Sequence, residues 1–236
     1  MTWQKFLVQG FLWGKGFIID SFGGFSEVPR VVMLLGYLAC IIVPYLIGSI
    51  NSAIIVSKLL YHEDIRQHGS GNAGMTNMFR VYGKKAGLLT LLGDALKALV
   101  AVVFGSVVMG VAFGGAYVAG FFCVIGHVFP IYFRFKGGKG VIVSAITILC
   151  TSPIVFFILI LIFALITGAT RYVSLGSVTC AFFYPMVLSV FVKFIVPTVF
   201  SILLAVLVIV MHKSNIERLF AGEENKISFH RKDKDK

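Results

Sequence analysis

The sequence predicts an all-α, polytopic integral membrane protein, and three observations predict it. Of the 236 residues, 58% are hydrophobic and only 13% charged, against ~45–50% and ~25% in a soluble domain. Apolar runs near 31–57, 87–109, 112–133, 138–151, 153–169, 174–192 and 194–211 mark about seven transmembrane helices, each span needing ~20 residues. The polar residues gather in a few segments, chiefly 59–86, 134–140 and 212–236. An ordinary soluble enzyme and a disordered chain are both excluded, because so much apolar surface can hide only in lipid.

The elements follow in order. Residues 1–30 form an N-terminal extension. Within it, residues 3–19 carry both tryptophans, Trp3 and Trp13, and are interrupted by Gln9 and Lys15. No small-x-small cleavage pattern follows, so this stretch reads as an interfacial helix rather than a signal peptide. Residues 31–211 form the membrane domain. Its ambiguous stretch is 138–169, broken by Thr151-Ser152-Pro153. As one helix it would run ~48 Å, too long for a ~30 Å core. Two short helices meeting at the proline fit better, since proline starts helices and disrupts their interiors. The alternative is five spans, with 138–169 and 174–211 each partly re-entrant or interfacial.

Charge sets the sidedness. With loop 59–86 in the cytoplasm, that side also receives loop 134–140, Arg171 and the tail 212–236, and collects sixteen of the 21 Lys and Arg. The N-terminus then lies outside with Lys5, Lys15, Arg30 and Lys193, while Lys97 falls within a span. This asymmetry is what the positive-inside rule expects. The net charge of +11 therefore speaks for sidedness and anionic lipid, and implies no nucleic acid. Cys40, Cys123, Cys150 and Cys180 sit far apart in apolar runs, without metal-ligand or disulfide spacing.

Three polar segments on one face carry the chemistry. The first, Gly69-Ser70-Gly71-Asn72-Ala73-Gly74-Met75-Thr76-Asn77, is followed by Arg80. Its glycines free backbone N–H groups toward an anion, Ser70, Asn72, Thr76 and Asn77 add neutral donors, and Arg80 offers phosphate-matching geometry. A plain Gly/Asn turn explains the composition equally well. The second, Phe135-Lys136-Gly137-Gly138-Lys139-Gly140, would sit at a helix N-terminus that favours an anion; Val141 stands where a Walker A loop needs Ser or Thr. The third places His212 and Asn215 on one helical face just past the last apolar run. Asp94 and Lys97, three apart within a span, read as a mutually neutralised pair supporting the site above them.

Together GSGNAGMTNMFR at 69–80, GHVFPIYFRFKGGKG at 126–140 and HKSNIERLFAGEE at 212–224 resemble the acyl-phosphate-dependent glycerol-3-phosphate acyltransferases of bacterial inner membranes. The resemblance covers about residues 31–227. It implies transfer of a fatty acyl group from acyl phosphate to the 1-hydroxyl of sn-glycerol 3-phosphate, giving lysophosphatidic acid and phosphate, in phospholipid biosynthesis. It implies neither cofactor nor metal, an active site facing the cytoplasm, and contact with an enzyme that produces acyl phosphate. By position, Ser70, Asn72 and Arg80 match the first-motif residues of that family, Gly137, Gly138 and Lys139 its glycerol-phosphate loop, and His212 and Asn215 its third motif. Glu224 matches a structural carboxylate. The expected catalytic set is Ser70, Arg80, Lys139, His212 and Asn215, with Gly69, Thr76 and Asn77 joining the binding loop. Met75, Ile142-Val143 and Asn225 depart from the family pattern at packing positions. The rival reading is a transporter of a phosphorylated anion, against which the absence of visible repeat symmetry argues.

Arg80→Lys is expected to lose most turnover although the charge is kept, because an ammonium cannot reproduce a bidentate phosphate contact. Steady-state rates of the two proteins check it, and near-normal turnover of the lysine form would show that no such contact exists.

Overall fold

The computed structural model describes residues 17–110 and 114–227. Among them every regular element is a helix: α1 Phe17–Ser21, α2 Arg30–Gly48, α3 Ser52–Tyr61, α4 Met75–Tyr82, α5 Lys84–Met109, α6 Gly115–Val128, α7 Val141–Thr151, α8 Pro153–Thr170, α9 Val173–Phe191, α10 Ile195–Met211 and α11 Lys213–Phe220. Most of the interfacial helix expected over 3–19 lies outside the described residues; Phe17–Ile19 begin α1.

The seven apolar segments all appear as helices but are not equivalent. Five stretches are long and apolar enough to cross a bilayer: Arg30–Tyr61, α5, Gly115–Phe133, α8 and α9. A sixth is α10, continued by α11 after a 57° bend. The segment expected at 138–151 is the 11-residue α7, whose rise of ~16 Å is about half a hydrocarbon core. It is the half-length piece that the five-span alternative allowed for. Pro153 stands at the start of α8, as its missing N–H favours.

The run at 31–57 is interrupted rather than continuous. α2 ends at Gly48, Ser49 and Ile50 leave the helix, and Asn51 caps α3 by accepting from the Ile54 N–H at 3.1 Å. A broken backbone inside an apolar run must be satisfied by the protein itself. Here the Ile50 carbonyl accepts from Lys97 Nζ at 2.9 Å. The same ammonium forms an ion pair with Asp94 Oδ1 at 2.8 Å and lies 2.9 Å from His127 Nδ1. Asp94, Lys97 and His127 are 1%, 6% and 4% exposed. The pair read from the sequence is therefore a triad, closed by a histidine thirty residues further along.

Small residues bring the backbones together around this cluster. A Cβ at Gly48 would run into the Cys123 backbone, and one at Gly126 into Tyr45 and Ser49 backbone atoms, so α2 and α6 pack at glycine distance. α5 runs through the centre against α2, α3, α4, α6 and α7, while α8 packs chiefly on α7 and α9. Its Phe157, Leu161 and Leu165 face outward, as lipid-facing side chains should.

Asp94→Asn is expected to cost about 3–5 kcal/mol, because it leaves the Lys97 cation buried without its counter-charge. Thermal unfolding in detergent reads the loss. Asp94→Asn combined with Lys97→Met is expected to recover part of it, and an unchanged midpoint in the single variant would contradict the pairing.

Candidate active site

Contacts between distant segments bring the polar loops to one end of the bundle. Arg66 Nη1 donates to the Phe133 carbonyl at 2.8 Å and the Lys136 carbonyl at 3.2 Å, while Asp64 holds its guanidinium at 2.7 Å. This joins loop 59–86 to loop 134–140. The Ile227 N–H donates to the Arg171 carbonyl at 2.9 Å, which ties the tail to the end of α8. Both ends of the α7–α8 pair thus lie on the face that carries the tail.

The second and third segments meet through side chains. Lys139 Nζ donates to Asn215 Oδ1, and Asn215 Nδ2 donates to Glu224 Oε1 at 2.6 Å. The orientation of this amide is forced, since lysine can only donate and an ionised carboxylate only accept. Glu224 also accepts from Ser174 Oγ at 2.8 Å and from Arg218 Nε at 2.8 Å. Burial pushes its carboxyl up, but hydrogen bonds from Asn215, Ser174 and Arg218 outweigh this and hold it below the usual range. Ser174 and Arg218 were not singled out in the sequence. Arg218 stands three positions beyond Asn215, which was, but Ser174 gives no local signal.

His212 begins the bend between α10 and α11 and is 3% exposed. Its Nδ1 lies 2.7 Å from the Val208 carbonyl. A carbonyl only accepts, so Nδ1 carries the proton and Nε2 presents a lone pair. Burial, reinforced by the Lys139 charge, pushes its pKa down to about 4, so the ring is neutral at pH 7. Burial also lowers Lys139, to about 8, with Arg218 and Arg80 adding repulsion and Glu224 opposing them. Arg80 itself is exposed, and the first segment meets the second at Ala73, whose carbonyl lies against Gly138.

Other expected residues serve the scaffold. Asn77 is 1% exposed. Its Nδ2 donates to the His68 and Asn72 carbonyls at 2.9 and 3.1 Å, and its Oδ1 accepts from the Ser70 N–H at 2.9 Å. It shapes the loop on which Gly69, Ser70, Asn72 and Thr76 stand, and Gly69, Ser70 and Thr76 are themselves exposed. Gly137 and Gly138 donate their N–H groups to the Val128 and His127 carbonyls, both at 3.1 Å. They cannot also offer those N–H groups to an anion. Their glycine requirement is one of space: a Cβ at Gly138 would strike the His127 ring and come within 2.8 Å of the Ala73 carbonyl. The free N–H groups begin further on, at the start of α7 after Gly140, whose φ of +80° suits glycine.

Next to this polar cluster an apolar cavity of about 150 Å³ opens between α7, α8, α9 and α10. Val141 and Val208 line it, the first two residues past Lys139, the second the carbonyl partner of His212. Among the described residues no three His, Cys, Asp or Glu side chains gather as metal ligands.

The family profile described as Glycerol-3-phosphate acyltransferase matches residues 38–222. The glycerol-3-phosphate acyltransferase of Macrococcus caseolyticus is 40% identical over 193 residues, covering 80% of this chain and 96% of that protein. That of Staphylococcus aureus strain bovine RF122 is 38% identical, covering 84% and 98%. Among solved structures, PlsY (YgiH), an integral membrane glycerol 3-phosphate acyltransferase, in its glycerol 3-phosphate form is similar with a TM-score of 0.77 at 34% identity, covering 81% of this chain and 96% of that one. Its lysophosphatidic acid form gives 0.75 at 33%.

A lysine that binds phosphate only when charged should lose that function as the pH rises through its pKa. With Lys139 lowered to about 8, kcat/KM for a phosphorylated substrate is expected to fall above about pH 8. Lys139→Arg, whose charge persists, should flatten that alkaline limb whatever its effect on the maximum. An identical limb in both proteins would assign it to another group.

Proposed function

The chain belongs to the glycerol-3-phosphate acyltransferase family, and from that premise we propose that it moves a fatty acyl group from acyl phosphate to the 1-hydroxyl of sn-glycerol 3-phosphate. The products are lysophosphatidic acid and inorganic phosphate, and the site faces the cytoplasm. Membership of an acyltransferase family removes the transporter reading. It is an enzyme of the membrane, and phospholipid synthesis is its context.

The observation that carries the reading is the Lys139–Asn215–Glu224 chain beside His212, with an apolar cavity starting at its edge. Both substrates bear phosphate, and one also bears a long alkyl chain. Lys139 and Arg80 supply cationic charge for the two phosphates, assisted by Ser70 and Asn72 on the first loop and by the free N–H groups that open α7. The cavity takes the start of the acyl chain, so the reacting carbonyl lies where cavity and polar cluster meet.

The glycerol hydroxyl oxygen attacks that carbonyl carbon, the carbon–oxygen bond to phosphate breaks, and the bonding pair leaves on phosphate. His212 Nε2 accepts a hydrogen bond from the hydroxyl and aims it. With a pKa near 4, the imidazole is a weaker base than a phosphate group whose second pKa is ~6. The hydroxyl proton therefore ends on the departing phosphate. Because acyl phosphate is already an activated anhydride, positioning and charge neutralisation suffice.

Purified protein with palmitoyl phosphate is expected to release phosphate only when glycerol 3-phosphate is added, one lysophosphatidic acid appearing per phosphate, at the same rate with EDTA. Folded protein that releases nothing from palmitoyl phosphate, yet acylates glycerol 3-phosphate from a thioester, would overturn the donor assignment.

A further inference from the structure

The cavity beside the site has a shaped far end. On α9 its wall is formed by Ser177, Cys180, Ala181 and Tyr184, spaced so that all four share one helical face. Three small side chains are followed by one of the largest. α7 repeats the pattern, with Ser144 and Ala145 followed by Ile148, and on α10 Ala205 is followed, moving away from the site, by Leu204. The far ends coincide. α9 starts at the polar face, where Ser174 holds Glu224, and Tyr184 lies ten residues deeper, ~15 Å along the axis. α8 runs the opposite way, so Phe156, close to the deep turn at Ser152-Pro153, joins Tyr184 there. Tyr184 is only 3% exposed and belongs to the same packed cluster as Ile148 and Leu204. A wall fixed in this way does not give easily: the Cys180 thiol donates to the Leu159 carbonyl at 3.2 Å, joining α9 to α8 along the cavity side.

The near end is marked too. Ser144 is 7% exposed and lines the cavity, but its Oγ is enclosed and has no hydrogen-bond partner. The surface that the cavity presents there is accordingly apolar, which suits a hydrocarbon chain starting at the polar cluster.

We propose that Tyr184, with Ile148, Phe156 and Leu204 around it, is the floor against which the acyl chain of the donor is measured, and thereby sets the chain length that this enzyme prefers. This rests on the donor being a fatty acyl phosphate, as above. The selectivity comes from shape. A chain leaving the bilayer for an apolar cavity gains little from dehydration, since lipid tails are equally apolar. Up to the floor each methylene finds close-packed partners; beyond it the chain must fold back or force the floor aside, which a packed interior resists.

The experiment is a competition. Purified protein receives an equimolar mixture of octanoyl, lauroyl, myristoyl, palmitoyl and stearoyl phosphates with glycerol 3-phosphate, and the lysophosphatidic acids are quantified by mass spectrometry. Product ratios report relative kcat/KM and do not depend on how much protein is active. The native enzyme is expected to show a preferred length with a drop beyond it. Tyr184→Ala, which lowers the floor, should raise the ratio of longer to shorter products by roughly tenfold, the order expected when a pocket gains room for methylene groups. Ala181→Phe, which raises the floor by one turn, should shift the ratio the other way. Val206→Ala, on the outward face of α10, should leave it unchanged. A flat native profile, or unaltered ratios in either active floor variant, would overturn the proposal. Failure of the donor assignment looks different: no acyl phosphate of any length gives product, and the length series is then run with the thioester donor that does.

Discussion

Everything on the polar face hangs from one constraint in the membrane interior: a broken backbone and a buried cation must satisfy each other where no water reaches. The interruption between α2 and α3 leaves the Ile50 carbonyl without a helical donor, and Lys97 fills that need with one of its three N–H groups. The same ammonium is paired by charge with Asp94 and lies against His127. Three parts of the chain are thereby fixed together: the α2–α3 break, the middle of α5 and the end of α6. The end of α6 in turn holds loop 134–140, since the His127 and Val128 carbonyls receive the Gly138 and Gly137 N–H groups. The triad thus sets the position of Lys139, one residue further on.

This arrangement explains why a charged cluster is kept where it is expensive. An apolar replacement of a buried ion pair often costs nothing in stability, but it would not hold a non-helical carbonyl or seat a histidine ring against a glycine loop. The cluster joins backbone segments far apart in sequence at one point, which apolar packing does less specifically.

Much of this was legible in the sequence. Hydropathy located each long helix to within a few residues, because in lipid the length of an apolar run and the need for internal hydrogen bonds leave little choice. The helix start at Pro153 follows from its missing N–H. The i, i+3 spacing of Asp94 and Lys97 predicted their pairing. Other features were not readable, each for a physical reason. His127 joins the pair only through the packing of α6 on α5, and no periodicity records that. The break at Ser49–Asn51 is hidden in an apolar run, although Asn51 directly before Ser52-Ala53-Ile54 is a recognisable capping position. Gly137 and Gly138 look like anion donors from composition, whereas the fold spends their N–H groups on carbonyls. Asn77 looks like a further polar donor, whereas its amide is consumed within the loop.

The spacing of charges in the site carries one more consequence. Glu224 lies within two hydrogen bonds of Lys139, and a direct ion pair between them would hold the lysine firmly but neutralise it toward any phosphate. Asn215 stands between them as a neutral relay, accepting from the ammonium and donating to the carboxylate. The carboxylate is also engaged by Arg218, so its charge is balanced mainly by a residue outside the relay. Lys139 is therefore positioned by a dipole while its field stays directed at an incoming anion. Partial burial lowers its pKa, which means that the fold bears some of the cost of desolvating the cation, and an anion bound there would relieve it. An aspartate in place of Asn215 would invert that logic: it would hold Lys139 more tightly, sit repelled by Glu224, and occupy with its own charge the place that the proposed function gives to a substrate phosphate.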